Sequence, residues 1–223
     1  MNSDDWEIDF EKRLRAVDWA SVQHAFGPAV EVPDELMKLF ELGDAYAAWV
    51  MNDFFYTRLS HQQTRYSATL TAVPFLVELL EHLPQQRVFL IDYLVDTALG
   101  SASWFYPTGY HPQSTSAAYM TGNLQTELYA RVQELAFPVF LRLARQSDEP
   151  RTQKMALWAL GWFPKCELES RPVLESNPNN ASRFALQMLY AAKNEPRPRT
   201  EEEEEADFER YDELINEIHD RPD

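Results

Sequence analysis

Tyr66 to Leu83, Tyr-Ser-Ala-Thr-Leu-Thr-Ala-Val-Pro-Phe-Leu-Val-Glu-Leu-Leu-Glu-His-Leu, has the apolar spacing of an amphipathic helix and a proline at its centre. Leu70, Val73, Leu76, Val77 and Leu80 recur at steps of three and four, so one face meets a core. Pro74 lacks a backbone donor and presses its ring toward the carbonyl four residues back, a penalty of about 3 kcal/mol unless packing selects the kink. The interruption recurs. Ala-Phe-Pro-Val-Phe-Leu at Ala136 to Leu141 parallels Ala-Val-Pro-Phe-Leu-Val at Ala72 to Val77, and Arg-Pro-Val-Leu at Arg171 to Leu174 is a weaker third copy. Pro138 and Pro172 lie 34 residues apart, whereas Pro74 and Pro138 lie 64 apart, an excess that fits one hairpin unit plus an insertion.

Working outward, the helical stripe continues after Pro84-Gln85-Gln86 with Val88, Ile91, Leu94, Val95 and Leu99, which predicts a partner helix and a hairpin. Upstream, residues 1–33 read as irregular and acidic, with turns at Gly27-Pro28 and Val32-Pro33. Asp34 is a candidate N-cap for a short helix ending at Gly43, and Asp44 for a second one from Ala45 to about Leu59. Downstream, Asn123 to Gln146 reads as one helix with Pro138 inside it, and Asp148-Glu149-Pro150 starts its partner, which carries Met155, Leu157, Trp158, Leu160 and Trp162. A last hairpin joins Glu167–Glu175, interrupted by Pro172, to Ala181–Ala192 through the turn Ser176-Asn177-Pro178-Asn179. Beyond a polar linker, 201–218 reads as a C-terminal capping helix with Phe208, Tyr211, Leu214, Ile215 and Ile218 on its apolar stripe.

Residues 100–122 break this rhythm. They lie between Gly100 and Gly122, are small and polar, yet contain Trp104, Phe105, Tyr106, Tyr110 and Tyr119. A loop of this length inside a compact domain is functional or disordered, and the aromatics argue against disorder. They either fold back as a cover over the helices or present a surface to a partner.

A chain of 223 residues, 45% hydrophobic and 13% aromatic, suits a single domain over 1–223 with a substantial core and no metal or disulfide staple. No apolar run approaches the ~18 residues of a membrane span, and the acidic N-terminus has no export signal, so the cytoplasm is the expected compartment. The balance of 20 basic against 36 acidic residues, a net charge of −16, repels phosphate backbones and anionic lipid. It would draw a basic partner, or serve only solubility. Residues 193–223 alone hold 5 basic and 13 acidic positions.

Helix pairs that share an internal motif and cannot bury their apolar faces alone are the mark of an all-α superhelix. A kinking proline in the first helix of each pair resembles the HEAT repeat. Trp19, His24-x-Phe26-Gly27-Pro28-Ala29, Val32-Pro33, His61-Gln62, Tyr66-x-Ala68-Thr69 and Ala72-Val73-Pro74-Phe75-Leu76 resemble a group of bacterial HEAT-repeat proteins over roughly residues 17–80. That resemblance implies a right-handed α-solenoid of helical hairpins, and some HEAT-like proteins of this size are similar to immunity proteins that neutralise secreted bacterial toxins. The 100–122 insertion has no counterpart in it.

The search for catalytic chemistry is negative at the level of motifs. His24, His61, His82, His111 and His219 are scattered without ligand spacing, so no metal is expected. There is no phosphate loop and no serine-hydrolase elbow, and no cofactor is implied. Cys166, the single cysteine, lies between Lys165 and Glu167, a thin setting for a tuned thiolate. HEAT-type DNA glycosylases need a basic concave face, which an acidic chain with scattered Arg142, Arg145 and Arg151 does not supply. The expectation is a non-catalytic protein-binding solenoid, with an immunity protein against a basic toxin domain ahead of a scaffold or adaptor, and an enzyme centred on Cys166 or His61 last. Trp104, Phe105, Tyr106 and Tyr110 are the expected anchors for the partner, and Asp92 and Asp96 the expected steering carboxylates.

Overall fold

The computed structural model describes residues 3–42, 53–61, 64–99 and 124–191, and five positions of the terminal segment, 209, 213, 214, 217 and 218. The chain divides into two compact units, Met1–Tyr93 and Leu94–Asp223. Both are largely helical. Among the described residues no helix is long and apolar enough to cross a membrane.

In the first unit, α1 (Ser3–Arg15) is the main departure from the sequence reading, which expected 1–33 to be irregular. Its apolar positions are sparse, but Trp6, Phe10 and Leu14 fall at strict four-residue steps and all three are buried. Charge between them masks the period. A small ladder follows, β1 (Gln23–His24) against β2 (Gly27–Pro28), with His24 opposite Gly27. Helix α2 (Val32–Glu41) begins before Asp34, because the fixed φ of Pro33 suits the first turn of a helix. Asp34 therefore lies inside that turn, where it pairs with Arg15 at 2.8 Å instead of capping. Of the helix expected over Ala45–Leu59, the described part, Asp53–Leu59, is a π-helical turn. A second ladder, β3 (Ser60–His61) with β4 (Thr64–Arg65), leads into the proline-bearing helix.

That helix, α3 (Ser67–His82), runs unbroken through Pro74. Its buried face, Ala68, Ala72, Val73, Leu76, Val77, Leu79 and Leu80, supplies the packing that offsets the missing backbone bond. Its other side carries Glu78, which joins α3 to α1. The Trp6 indole N–H donates to Glu78 Oε1 at 2.8 Å, and Arg13 reaches both carboxylate oxygens, at 2.8 and 2.5 Å. One turn further on, His82 stacks on Trp6 at 3.9 Å, while Phe10 meets Phe75 edge-on at 5.8 Å. A 3-10 turn at Pro84–Gln86 leads to α4 (Arg87–Leu99). There Phe89 and Tyr93 close on Phe55 at 5.0 and 4.7 Å.

The second unit corrects the reading of Asn123–Gln146 as one helix. Two helices stand there, α5 (Leu124–Leu135) and α6 (Phe137–Gln146), with Pro138 in the first turn of the second. At this site the proline's absent donor falls where a helix start leaves its N–H groups free in any case. Helix α7 (Pro150–Leu160) begins as expected, with the Glu149 carboxylate accepting from the N–H groups of Arg151 (3.0 Å) and Thr152 (2.5 Å). After a 3-10 turn at Pro164–Cys166 come α8 (Glu167–Ser176), with Pro172 inside it, and α9 (Asn180–Ala191). Helix α6 packs on α7, and α9 packs on both α7 and α8. Phe163 is buried at the middle of this core, 5.5 to 6.1 Å from Tyr129, Phe137 and Phe140.

Helices α7 and α9 approach closely where Gly161 faces Ala185. A Cβ on Gly161 would lie 2.6 Å from the Ala185 Cα and 3.0 Å from its carbonyl oxygen. Gly161 has an ordinary helical backbone, so the constraint is space alone. Gly161→Ala should cost about 1–3 kcal/mol, because backbone must move to admit the methyl group, measured as a lowered urea midpoint; an unchanged midpoint would show that the two helices are not held this close.

Glu78 yields a pH prediction. Burial acts to raise its pKa, but the hydrogen bonds from Arg13 and Trp6 outweigh burial and hold the carboxyl below its ordinary 4.5. Its contribution to stability is therefore complete above about pH 4.5 and is lost as pH falls through the lower, folded value. Glu78→Gln should cost roughly 1–3 kcal/mol at pH 7. It should also flatten the fall in stability between about pH 5 and 3 that the parent chain is expected to show.

Candidate functional site

Most of the residues that carry the HEAT-like resemblance meet in the first unit, around the two small ladders. Gly27, at φ +133°, allows the tight turn between β1 and β2 that a side chain with a Cβ would strain. Behind that turn His24 is buried, 6% exposed. Its Nδ1 accepts the Phe26 backbone N–H at 3.0 Å, which leaves the ring hydrogen on Nε2, 2.6 Å from Glu31 Oε1. Arg58 Nη1 reaches the same oxygen at 3.1 Å. Burial acts to raise the Glu31 pKa, yet its backbone bond and the His24 and Arg58 contacts outweigh burial and lower it. The first ladder is also tied to the segments that flank the second, as Ala25 N–H donates to the Arg58 carbonyl of the π-helical turn at 3.0 Å and Gln23 N–H to Ser67 Oγ of α3 at 2.9 Å.

Tyr66 and Thr69 fix the start of α3. Thr69 Oγ1 accepts the Tyr66 N–H at 3.0 Å and donates to the Leu59 carbonyl, which ties the helix start to the π-helical turn.

The result of this bracing is a displayed aromatic ring. Phe26 is 66% exposed, touches His61 edge-on at 5.8 Å and His24 at 6.3 Å, and has Val30, 61% exposed, four residues on. Leaving a phenylalanine in water forgoes about 1.5–3 kcal/mol of burial. Here the chain spends a buried histidine, a carboxylate and an arginine on holding it there.

Of the residues expected to meet a partner, Asp92 and Asp96 lie one turn apart on α4, both half-buried, and Asp92 accepts the Tyr56 hydroxyl at 3.3 Å. Trp104, Phe105, Tyr106 and Tyr110 lie outside the described residues. His61 sits in β3 of the first unit, and Cys166 on the 3-10 turn before α8 in the second. Burial, then the nearby Glu169 carboxylate, push the Cys166 thiol up, against a smaller opposing effect of Lys165. Neighbouring Tyr129 is pushed up as well, chiefly by burial, and its hydroxyl donates to the Trp162 carbonyl at 2.9 Å. Among the described residues no group of three or more His, Cys, Asp or Glu is placed to hold a metal ion.

The roles of Glu31 and Arg58 were not readable from sequence. They lie 27 positions apart and meet at one carboxylate oxygen, which His24 also contacts. Phe26 stood in the motif, but nothing in the string distinguishes a displayed aromatic from a buried one.

No family model, no curated protein and no solved structure matches the chain.

His24→Ala should remove the acceptor for the Phe26 N–H and leave the Glu31 carboxylate with Arg58 alone. The expected loss is about 1–3 kcal/mol, with faster hydrogen exchange at the amides of residues 24–28. Exchange unchanged at Phe26 would mean that the histidine does not brace the turn.

Proposed function

We propose that the protein is a non-catalytic binding module, a HEAT-like right-handed α-solenoid spanning 1–223, whose partner is another protein with a basic surface. In this reading it is a cytoplasmic immunity protein that neutralises a bacterial toxin domain, and it needs no cofactor. The observation that carries the reading is the braced exposure of Phe26: a rigid, solvent-facing aromatic is the kind of group that anchors protein interfaces. The net charge of −16 supports it, since long-range attraction accelerates encounter with a basic protein and opposes nucleic acid. Helices paired as α6–α7 and α8–α9, with prolines inside α3 and α8, support the HEAT-like part of the proposal. Asp92 and Asp96 lie on α4, ahead in sequence of the aromatic insertion with Trp104, Phe105, Tyr106 and Tyr110, and all six are proposed to meet the partner.

Co-production with the polypeptide encoded in the adjacent reading frame is the decisive experiment. Cells should survive that polypeptide only when this chain is present, and Phe26→Ala should weaken the complex about tenfold or more. The same substitution should change folding stability by less than about 0.5 kcal/mol, as expected for an exposed position. The association rate should also fall steeply as salt rises. Equal killing with and without the chain would falsify the immunity reading, and a partner bound with no salt dependence would point to an adaptor role.

A further inference from the structure

The second unit contains a cleft that the reading above does not use. It has a volume of about 810 Å³ and lies between one stripe of α9 and the terminal segment, with Arg171 of α8 at its edge. Arg183, Phe184, Gln187 and Tyr190 line it from α9, while Glu213 and Leu214 line the facing wall.

That wall is anchored. Leu214 and Ile218 are buried, Glu217 accepts from Lys154 Nζ at 2.5 Å and Asn180 Nδ2 at 3.1 Å, and Arg151 Nε donates to the Ile218 carbonyl at 2.6 Å. Helices α7 and α9 thus tie down Glu217 and Ile218, the described positions next to that wall.

Its chemistry is two-signed. Arg171 is matched with Glu167 and Glu175, as Arg13, Arg15, Arg58 and Arg131 are with carboxylates of their own. Arg183 is not: among the described residues its guanidinium meets the Asn180 side-chain oxygen and no carboxylate. On the opposite wall, Glu213 is exposed and has no cationic partner among the described residues. Between them lie Phe184 and Leu214, with Tyr190, 67% exposed, at the rim. An apolar floor between an unmatched cation and an unmatched anion is complementary to an amphipathic peptide, since apolar side chains fill the floor while charges at the edges set orientation.

We propose that this cleft is a second recognition site, which takes a short amphipathic segment of a partner protein with an acidic side chain against Arg183 and a basic one against Glu213. The site is independent of Phe26 and stands whether or not the chain is an immunity protein.

The test uses the full chain and a phage-displayed library of random twelve-residue peptides as the probe. Enriched peptides should combine apolar positions with at least one Asp or Glu and one Lys or Arg. Synthesised singly, they should bind the parent chain and the Phe26→Ala variant equally, and lose about tenfold or more in affinity for Arg183→Glu and for Tyr190→Ala. Arg183 and Tyr190 are exposed, so both variants should keep the parent unfolding temperature, which separates lost binding from lost folding. Charge reversal in the peptide, Asp or Glu to Lys, should restore part of the affinity for Arg183→Glu. The proposal is overturned if no peptide is enriched, if enriched peptides ignore both substitutions, or if they carry no acidic residue. A dimer of the chain that Arg183→Glu dissociates would assign the cleft to self-association and overturn it equally.

Discussion

A proline withholds one backbone hydrogen bond, and Pro74, Pro138 and Pro172 place that deficit in their helices in two different ways. In α3 and α8 the ring sits inside the helix, so the unmet carbonyl has to be tolerated by surrounding contacts. At Pro138 the ring sits in the first turn of α6, where no intrahelical donor is needed and the deficit disappears. The sequence motif around Pro74 and Pro138 is nearly the same, yet the outcomes differ. What separates them is the preceding chain. Tyr66 and Thr69 start α3 two turns before Pro74, whereas α5 arrives at Pro138 as a complete helix that ends at Leu135. The proline marks where a helix meets stress, and the upstream capping decides whether the helix continues or restarts.

That difference also sets what was legible in the sequence. Helices with a continuous apolar stripe, α3, α4, α7 and α9, were readable because burial repeats every three or four residues. So was the start of α7 at Asp148-Glu149-Pro150, because acidic residues ahead of a proline suit the first turn of a helix, although which carboxylate caps it emerged only in the structure. Helix α1 was hidden because its core contacts come from only three large residues, Trp6, Phe10 and Leu14, set among charges that dilute the periodicity. Asp34 misled for a related reason: as a residue type it favours caps, but Pro33 beside it is a stronger local constraint.

The candidate site was legible as a list of residues and not as an arrangement. His24, Phe26, Gly27 and His61 stood out as a motif, but their relation depends on two short ladders, one of which requires the positive φ of Gly27. The partners that complete it, Glu31 and Arg58, come from ordinary charged positions whose meeting is a tertiary event. The cleft beside α9 was still less accessible to sequence reasoning. Arg183 stands out only once its guanidinium is seen to meet the Asn180 side chain and, among the described residues, no carboxylate.

The clamp that Glu78 and His82 make on α1 has a consequence for how the first unit assembles in time. Helix α1 is made before α3, and its polar partner at Glu78 lies 65 residues from Arg13 and 72 from Trp6. Contacts so distant in sequence require a long loop to close before they give any return, and they slow folding relative to local pairs such as α6 with α7. Before residues 75–82 have been synthesised, Trp6 and Phe10 have, among the described residues, each other and Phe40 as aromatic neighbours. The indole N–H of Trp6 gains its carboxylate partner only once α3 has been made.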